Sequence, residues 1–206
     1  MKLHTYKIVM VDIEPPIWRR FKVSSTMNFH QFHEVIQRIM GWQNYHMYSF
    51  TVGNTSIEYL DSESDFMNYG NMKLEHSVDL NLEDVFRKKG DEAIYTYDLG
   101  DNWEHEVVLE KVENVSSNKI EAICLDGARA CPKEDCGSSS GYYDCVIAYY
   151  QNKKWQYYPG DKHFEDTDEQ EEFNELIEWL EDWQPEYFDI EKINKELKKY
   201  TNKLNK

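Results

Sequence analysis

The stretch Tyr95–Lys111, YTYDLGDNWEHEVVLEK, places two runs rich in aromatic and β-branched residues on either side of Gly100 and Asp101. This is the pattern of a β-hairpin closed by a short glycine-containing turn. A turn centred on Gly100 and Asp101 sets Leu99 opposite Asn102, Asp98 opposite Trp103, Tyr97 opposite Glu104 and Thr96 opposite His105. Side chains alternate across a strand, so Asp98, Trp103, His105, Val107 and Leu109 are expected on the core face, and Tyr95, Tyr97, Glu104 and Glu106 on the other. Asp98 is then diagonal to His105 and within reach of a hydrogen bond. One reading is a base or metal-binding imidazole oriented by a carboxylate. The expected reading is plainer: a buried histidine needs a partner in any protein.

Downstream, Cys124–Tyr142 reads CLDGARACPKEDCGSSSGY. Cys124, Cys131, Cys136 and Cys145 are separated by six, four and eight residues, which is not the paired spacing of common zinc ribbons and fingers. Cys145 falls in an apolar helical stripe with Tyr142, Val146 and Tyr149, where a free cysteine serves as a small hydrophobe. If a metal binds, the expected ligands are Cys124, Cys131 and Cys136 with His105 as the fourth, because a soft sulfur and nitrogen set suits zinc. Glu134 and Asp135 offer a different site, for a hard cation, with Asp98 or Asp101. The candidate polar cluster is therefore Asp98, Asp101, His105, Glu134 and Asp135.

Working outward, Leu3–Asp12 and Ile17–Val23 read as an opening hairpin across Glu14-Pro15-Pro16. Phe29, Phe32, Ile36, Ile39 and Met40 recur at helical spacing, with Ser25, Thr26 and Asn28 as candidate caps and Gly41 as the stop. His30 and His33 on this helix are read as surface and partial-core residues. His46–Gly53 and Ile57–Leu60 make a second hairpin across Gly53-Asn54, and the polar run Asp61–Asn71 a loop of the kind where partners bind. A short helix Leu82–Lys89 and a strand Lys119–Leu125 flank the central hairpin. Helices are expected over Tyr142–Gln151, Glu169–Trp183 and from an Asp189 cap to about Asn202. The sum is α+β, with a mostly antiparallel sheet built from hairpins, one early helix, and a helical C-terminal third from about residue 142 packed on the sheet.

The 206 residues include only five prolines and show neither linker nor repeat, so a single domain over 1–206 is expected. Fifteen tyrosines and six tryptophans call for a core whose polar edges find hydrogen bonds. Lys7, Asp12 and Glu14 interrupt the one apolar segment near the N-terminus, so neither a signal peptide nor a membrane span is expected there. The expected compartment is cytoplasmic, with the cysteines as thiols or metal ligands. A net charge of -16 argues against a protein that coats a phosphate backbone. Arg19, Arg20 and the six lysines after Glu191 are the only features pointing the other way. The arginines are read as ion-pairing and the lysines as a solvated helix face.

Several motifs together carry a family resemblance. They are Trp18-Arg19-Arg20, Met40-Gly41-Trp42 followed by His46 and Phe50, and the run Tyr97-Asp98-Leu99-Gly100-Asp101-Asn102-Trp103-Glu104-His105. With them stand Cys131-Pro132-Lys133-Glu134-Asp135-Cys136-Gly137, Gly141-Tyr142, and Pro185-Glu186-Tyr187-Phe188-Asp189 with Asn194 and Leu197. Over nearly its whole length the chain resembles the plasmid Ri open-reading-frame-three-like (ORF-three-like) family. Leu99 stands where the family usually has Phe, Lys133 where a second Pro is common, and Ser138 where a second Gly is common. The resemblance implies association with mobile elements and no particular reaction. Some relatives are labelled transposon resolvase-like (TnpR-like) passengers. That label does not carry over, because a serine recombinase needs a nucleophilic serine among clustered arginines and a basic DNA-binding region. The function expected is a non-catalytic binding or accessory module for a protein or peptide partner. The alternatives are a metal-dependent enzyme, with zinc as the possible cofactor, around Asp98, Asp101, His105, Glu134 and the cysteines, and a nucleic-acid accessory factor.

Overall fold

The computed structural model describes residues 1–60, 71–152 and 167–206. The polar loop expected over Asp61–Asn71 lies, apart from Asn71, outside them. The strands are β1 (Lys2–Met10), β2 (Trp18–Ser24), β3 (Tyr48–Val52), β4 (Thr55–Glu58), β5 (Lys73–His76), β6 (Glu92–Tyr97), β7 (Trp103–Asn114) and β8 (Ala122–Ala128). They form one sheet in the order β5-β4-β3-β6-β7-β1-β2-β8, in which every neighbouring pair is antiparallel except β4 with β5. The helices are α1 (Phe29–Met40), a single turn α2 (Leu82–Val85), α3 (Ser138–Asn152), α4 (Thr167–Leu180) and α5 (Ile190–Leu204). The α+β class with a mostly antiparallel sheet is as expected. No helix among the described residues is long and apolar enough to cross a membrane.

Helix α1 forms where its caps place it. Asn28 Oδ1 accepts from Gln31 N at 2.8 Å, and Gln31 Oε1 accepts from Asn28 N at 3.1 Å. This reciprocal pair satisfies two of the orphan N–H groups of the first turn. Gly41 ends the helix in the left-handed conformation. The apolar stripe between the caps is buried against the sheet, where Phe32 stands 4.9 Å from Tyr6 and 5.7 Å from Phe21 between ring centroids. Each such aromatic contributes roughly 2–3 kcal/mol through burial, and offset rings add a smaller term.

Helix α5 covers the edge of the sheet at β8. The Asn194 amide donates to Cys124 O at 2.9 Å and accepts from Cys124 N at 2.8 Å. Asn205 does the same for Ile120, at 2.8 and 2.9 Å. Two side-chain amides thus pair with backbone that would otherwise invite another strand. Helices α3 and α4 share a smaller core of Cys145, Ala148, Phe173 and Leu180.

The short helix expected over Leu82–Lys89 stops after one turn at Val85, and three further details depart from expectation. Strand β8 begins three residues late, because the backbone N–H groups of Ile120 and Glu121 are taken by the side chains of Asn205 and Ser24. Strand β5 was not foreseen; KLEH has no alternation to reveal it. The register of the central hairpin is also displaced. Tyr97 pairs with Trp103 and Tyr95 with His105, so Tyr95 and Tyr97 join Trp103, His105 and Val107 on the buried face. The connection is five residues, Asp98–Asn102, rather than a two-residue turn, and a one-residue slip moves a whole strand to the other face.

Gly127 in β8 shows how tightly the end of the sheet is packed. A Cβ there would stand 2.7 Å from Phe188 Cζ and 2.8 Å from Arg19 Cδ. Gly127→Ala is therefore expected to lower stability by about 1–3 kcal/mol, the usual range for overpacking. Denaturant unfolding checks this, and an unchanged midpoint would show that Phe188 yields freely.

Candidate functional site

Three loops meet at one end of the sheet: residues 42–47 between α1 and β3, the β6–β7 turn 98–102, and the cysteine loop 129–137. The first is tied down along its length. Trp42 Nε1 donates to Pro132 O at 3.0 Å, Gln43 N to Glu134 Oε2 at 2.8 Å, and Asn44 N to Gln37 Oε1 at 3.0 Å. The Tyr97 hydroxyl accepts from Tyr45 N at 3.0 Å and His46 N at 3.4 Å, and donates to Glu134 Oε1. Burial, with the Glu134 carboxylate beside it, holds the Tyr97 phenol above its ordinary range.

In the second loop Asp98 is the organiser. Its Oδ1 accepts from Gly100 N at 2.9 Å and Asp101 N at 3.3 Å, and its own N–H donates to Met47 O at 2.9 Å. These bonds close the turn and extend the β3–β6 pairing by one residue. Its other oxygen faces His46 Nε2 at 3.5 Å, and Asp135 Oδ1 lies 3.0 Å from the same nitrogen. Asp101 ties the turn to the third loop by accepting from Gly137 N at 3.1 Å.

His46 Nε2 is shielded from solvent yet makes no hydrogen bond of acceptable geometry, despite the two carboxylate oxygens beside it. The ligand atoms of His46, Asp98 and Asp135 lie mutually within 4.8 Å, the only such group of three or more His, Cys, Asp or Glu found among the described residues. Among the described residues, no Lys or Arg forms an ion pair there with Asp98, Asp101, Glu134 or Asp135.

Four members of the expected polar cluster, Asp98, Asp101, Glu134 and Asp135, therefore come together. The fifth, His105, does not. It is wholly buried, with Nδ1 3.2 Å from Tyr95 O and its ring 5.4 Å from Trp42, and the expected Asp98–His105 hydrogen bond is replaced by Asp98 facing His46. The sulfur set is not gathered either. Cys124 Sγ lies 3.8 Å from Arg20 O, Cys131 Sγ is 3.3 Å from Arg19 Nη2, and Cys136 packs toward Cys145. Burial pushes the Cys124 thiol up to about 11, and raises Cys131 as well. His46 is the residue that sequence reasoning left out of the site. Its place in a loop between a helix and a strand, flanked by Tyr45 and Met47, both exposed, was the available signal.

Arg19 and Arg20 are not open to a phosphate. All five N–H groups of Arg19 are used internally, and Arg20 holds Glu110 through two bonds of 2.7 and 3.1 Å. Beside the loops lies a groove of about 550 Å³, lined by Trp42, Gln43, Lys133, Glu134, Trp183 and Phe188 among others. It shares the hydrogen-bonded Gln43–Glu134 wall with the His46 cluster.

The architecture defines a class: an α+β protein with an antiparallel sheet whose loop end presents one histidine among four carboxylates. The model of the plasmid pRiA4b ORF-3-like protein family matches residues 2–192, and the chain belongs to that family. It is 29% identical over 139 residues to the uncharacterized protein y4hQ of Sinorhizobium fredii, spanning 67% of this chain and 68% of that one. The crystal structure of MM3350, a protein of unknown function from Methanosarcina mazei Go1, is 30% identical and superposes with a TM-score of 0.72 over 93% of this chain and 96% of that one.

Two histidines behind the site make stability depend on pH. Burial pulls His33 down to about 3, although Asn44 Oδ1 accepts from it at 2.7 Å, and pulls His105 down to about 4. Both are neutral when folded, whereas the unfolded chain takes up these protons near 6.5. Stability contributed this way is complete above about pH 6.5 and declines as the pH falls, by about 1.4 kcal/mol per pH unit for each histidine. A His105→Leu variant is expected to show a slope shallower by that amount between about pH 6 and about 4.5. Urea unfolding at several pH values checks this, and parallel profiles would refute it.

Proposed function

We propose that this chain is a divalent-metal-binding protein whose ligands are His46 Nε2, Asp98 and Asp135. The observation that carries the reading is the convergence of three donor atoms from three separately anchored loops, with a shielded imidazole nitrogen that bonds to neither carboxylate. Separations of 3.0 and 3.5 Å from that nitrogen suit this role. Two ligands on one cation at metal distances of about 2.1 Å stand roughly 3.0–3.5 Å apart, with their lone pairs aimed at the ion rather than at each other. The unneutralised charge of Asp101 and Glu134 nearby adds to the attraction for a cation.

One nitrogen and two carboxylate oxygens suit manganese, iron or zinc, and differ from the thiolate set expected first. Three protein ligands leave coordination positions for water or a substrate oxygen, the pattern of catalytic rather than structural sites. A bound cation there would act as a Lewis acid or lower the pKa of a bound water. The chain's own contribution is positioning: Tyr97 holds the backbone of Tyr45 and His46, and Glu134 holds Tyr97. The adjoining groove, walled by two tryptophans, supports the accessory-module reading as well, since it offers a partner or ligand a place beside the cluster.

Titration calorimetry with manganese and zinc, with metal content by mass spectrometry, tests the proposal. About one ion per chain is expected. His46→Ala and Asp98→Asn should each weaken binding by more than about tenfold, while a Cys124→Ser and Cys131→Ser pair should leave it unchanged. Asp98→Asn is informative because the amide oxygen can still accept from Gly100 and Asp101. Tyr97→Phe, which removes only the clamp, should cost roughly 10–100-fold. Absence of binding, or binding indifferent to His46 and Asp98, would overturn the assignment.

A further inference from the structure

The four cysteines, all free, have different surroundings. Cys124 Sγ lies against the backbone oxygens of Arg20 and Asp126 at 3.8 and 3.7 Å, and Cys131 Sγ sits between Arg19 Nη2 and Met40 Sδ at 3.3 and 3.6 Å. Cys136 and Cys145 meet each other. Both pack into the small core of α3 and α4, where Cys136 lies against the cluster that holds Cys145. Cys136 is half-buried, at the outer side of the pair, whereas Cys145 is only 2% exposed.

The backbone builds this meeting. Asp135, Gly137 and Ser138 have positive φ values of 62°, 90° and 61°, which fold the chain sharply into α3. Gly141 then packs directly on Cys136, where a Cβ would stand 1.7 Å from the Cys136 carbonyl oxygen. Only glycine fits there, so the first turn of α3 is drawn over Cys136 and Cys145 comes beneath it about two turns along.

We propose that Cys136 and Cys145 are a dithiol site that exchanges with low-molecular-weight disulfides. The outer Cys136 sulfur, its proton released to water, attacks one sulfur of the small disulfide. A mixed disulfide forms, the small disulfide's S–S bond breaks, and one small thiol leaves after taking up a proton. The Cys145 sulfur, deprotonated in turn, attacks Cys136. The Cys136–Cys145 bond forms and the second small thiol leaves with a proton. Two protein thiols are oxidised by two electrons and one disulfide is reduced to two thiols. Neither sulfur is a ligand in the proposed cation site, so the dithiol stands independently of it. Closing the bond fixes the segment that presents Asp135.

The test is incubation of the reduced native chain with glutathione disulfide, followed by thiol counting after denaturation, intact mass and peptide mapping. The thiol count is expected to fall from four to two, with a mass lower by two hydrogens and a linkage mapped to Cys136 and Cys145. A Cys124→Ser and Cys131→Ser pair should still lose two thiols. Cys145→Ser should retain one glutathione on Cys136, which places Cys136 as the attacking sulfur even if the other variants fold poorly. Four surviving thiols, glutathione retained on wild-type Cys136, or a linkage formed only after the near-ultraviolet circular dichroism of the native state is lost would each overturn the proposal.

Discussion

The guanidinium of Arg19 is the contact on which the loop end of the molecule depends. It is 2% exposed, and its donors go to Ile39 O at 3.0 Å, Trp18 O at 2.8 Å, Ala128 O at 2.7 Å, Arg129 O at 2.7 Å and Cys131 Sγ at 3.3 Å. The Phe188 ring covers it at 4.6 Å. Among the described residues no carboxylate pairs with this cation, and carbonyl dipoles and a ring face replace its hydration. A lysine presents three donors from a point and cannot fill five acceptors in a plane. Through these bonds one side chain joins β2, the last turn of α1, the end of β8, the start of the cysteine loop and the approach to α5. Removing it would leave several buried carbonyls unpaired, each at a cost of about 1–3 kcal/mol.

From Arg19 the order passes to the site through indole and phenol groups. Trp42 and Trp183 donate to the carbonyls of Pro132 and Cys131 at 3.0 and 2.9 Å, fixing the cysteine loop just beyond Arg19's own bonds. Glu134 and Asp135 follow directly. Tyr97 then links Glu134 to the backbone of Tyr45 and His46, while Asp98, the next residue along, faces the imidazole. The tyrosines and tryptophans that make the composition unusual serve here as apolar bodies with one polar tip each, and the tips carry the loops.

Much of this was legible in the sequence. The Gly41 stop, the Gly53-Asn54 hairpin and the Asp189 cap all carry local chemistry that decides local structure and stand where the sequence puts them, and Asn28 is the one of three candidate caps that the helix uses. The central hairpin was located but its register was not. Asp98 and Asn102 both take left-handed conformations to make a five-residue loop, and a glycine between them invited a shorter turn. That one-residue difference hid the fact that Tyr97 points toward the loops. His46 was missed because its partners lie 52 and 89 positions away and no spacing rule connects them. The four cysteines are close in sequence, yet the fold sends Cys124 and Cys131 to separate neighbours and sets only Cys136 and Cys145 in one cluster.

Backbone strain marks the same place independently of side-chain chemistry. Among the described residues eight non-glycine positions have positive φ, and six of them, Asn44, Asp98, Asn102, Arg129, Asp135 and Ser138, lie in the three loops or at the start of α3 that follows them. A left-handed residue with a Cβ costs on the order of 1 kcal/mol, less for Asn and Asp, and persists only where its surroundings overdetermine it. The surroundings here are the hydrogen bonds already described: Asn44 holds His33 and Gln37, Asp98 caps its own turn, and Gly141 packs over the bend at Cys136. A sheet and helix of ordinary geometry thus carry a concentrated set of unfavourable backbone conformations at one end, where four carboxylates and an imidazole are also brought together. Stability alone favours neither feature. Their coincidence is what a site held in position for binding requires.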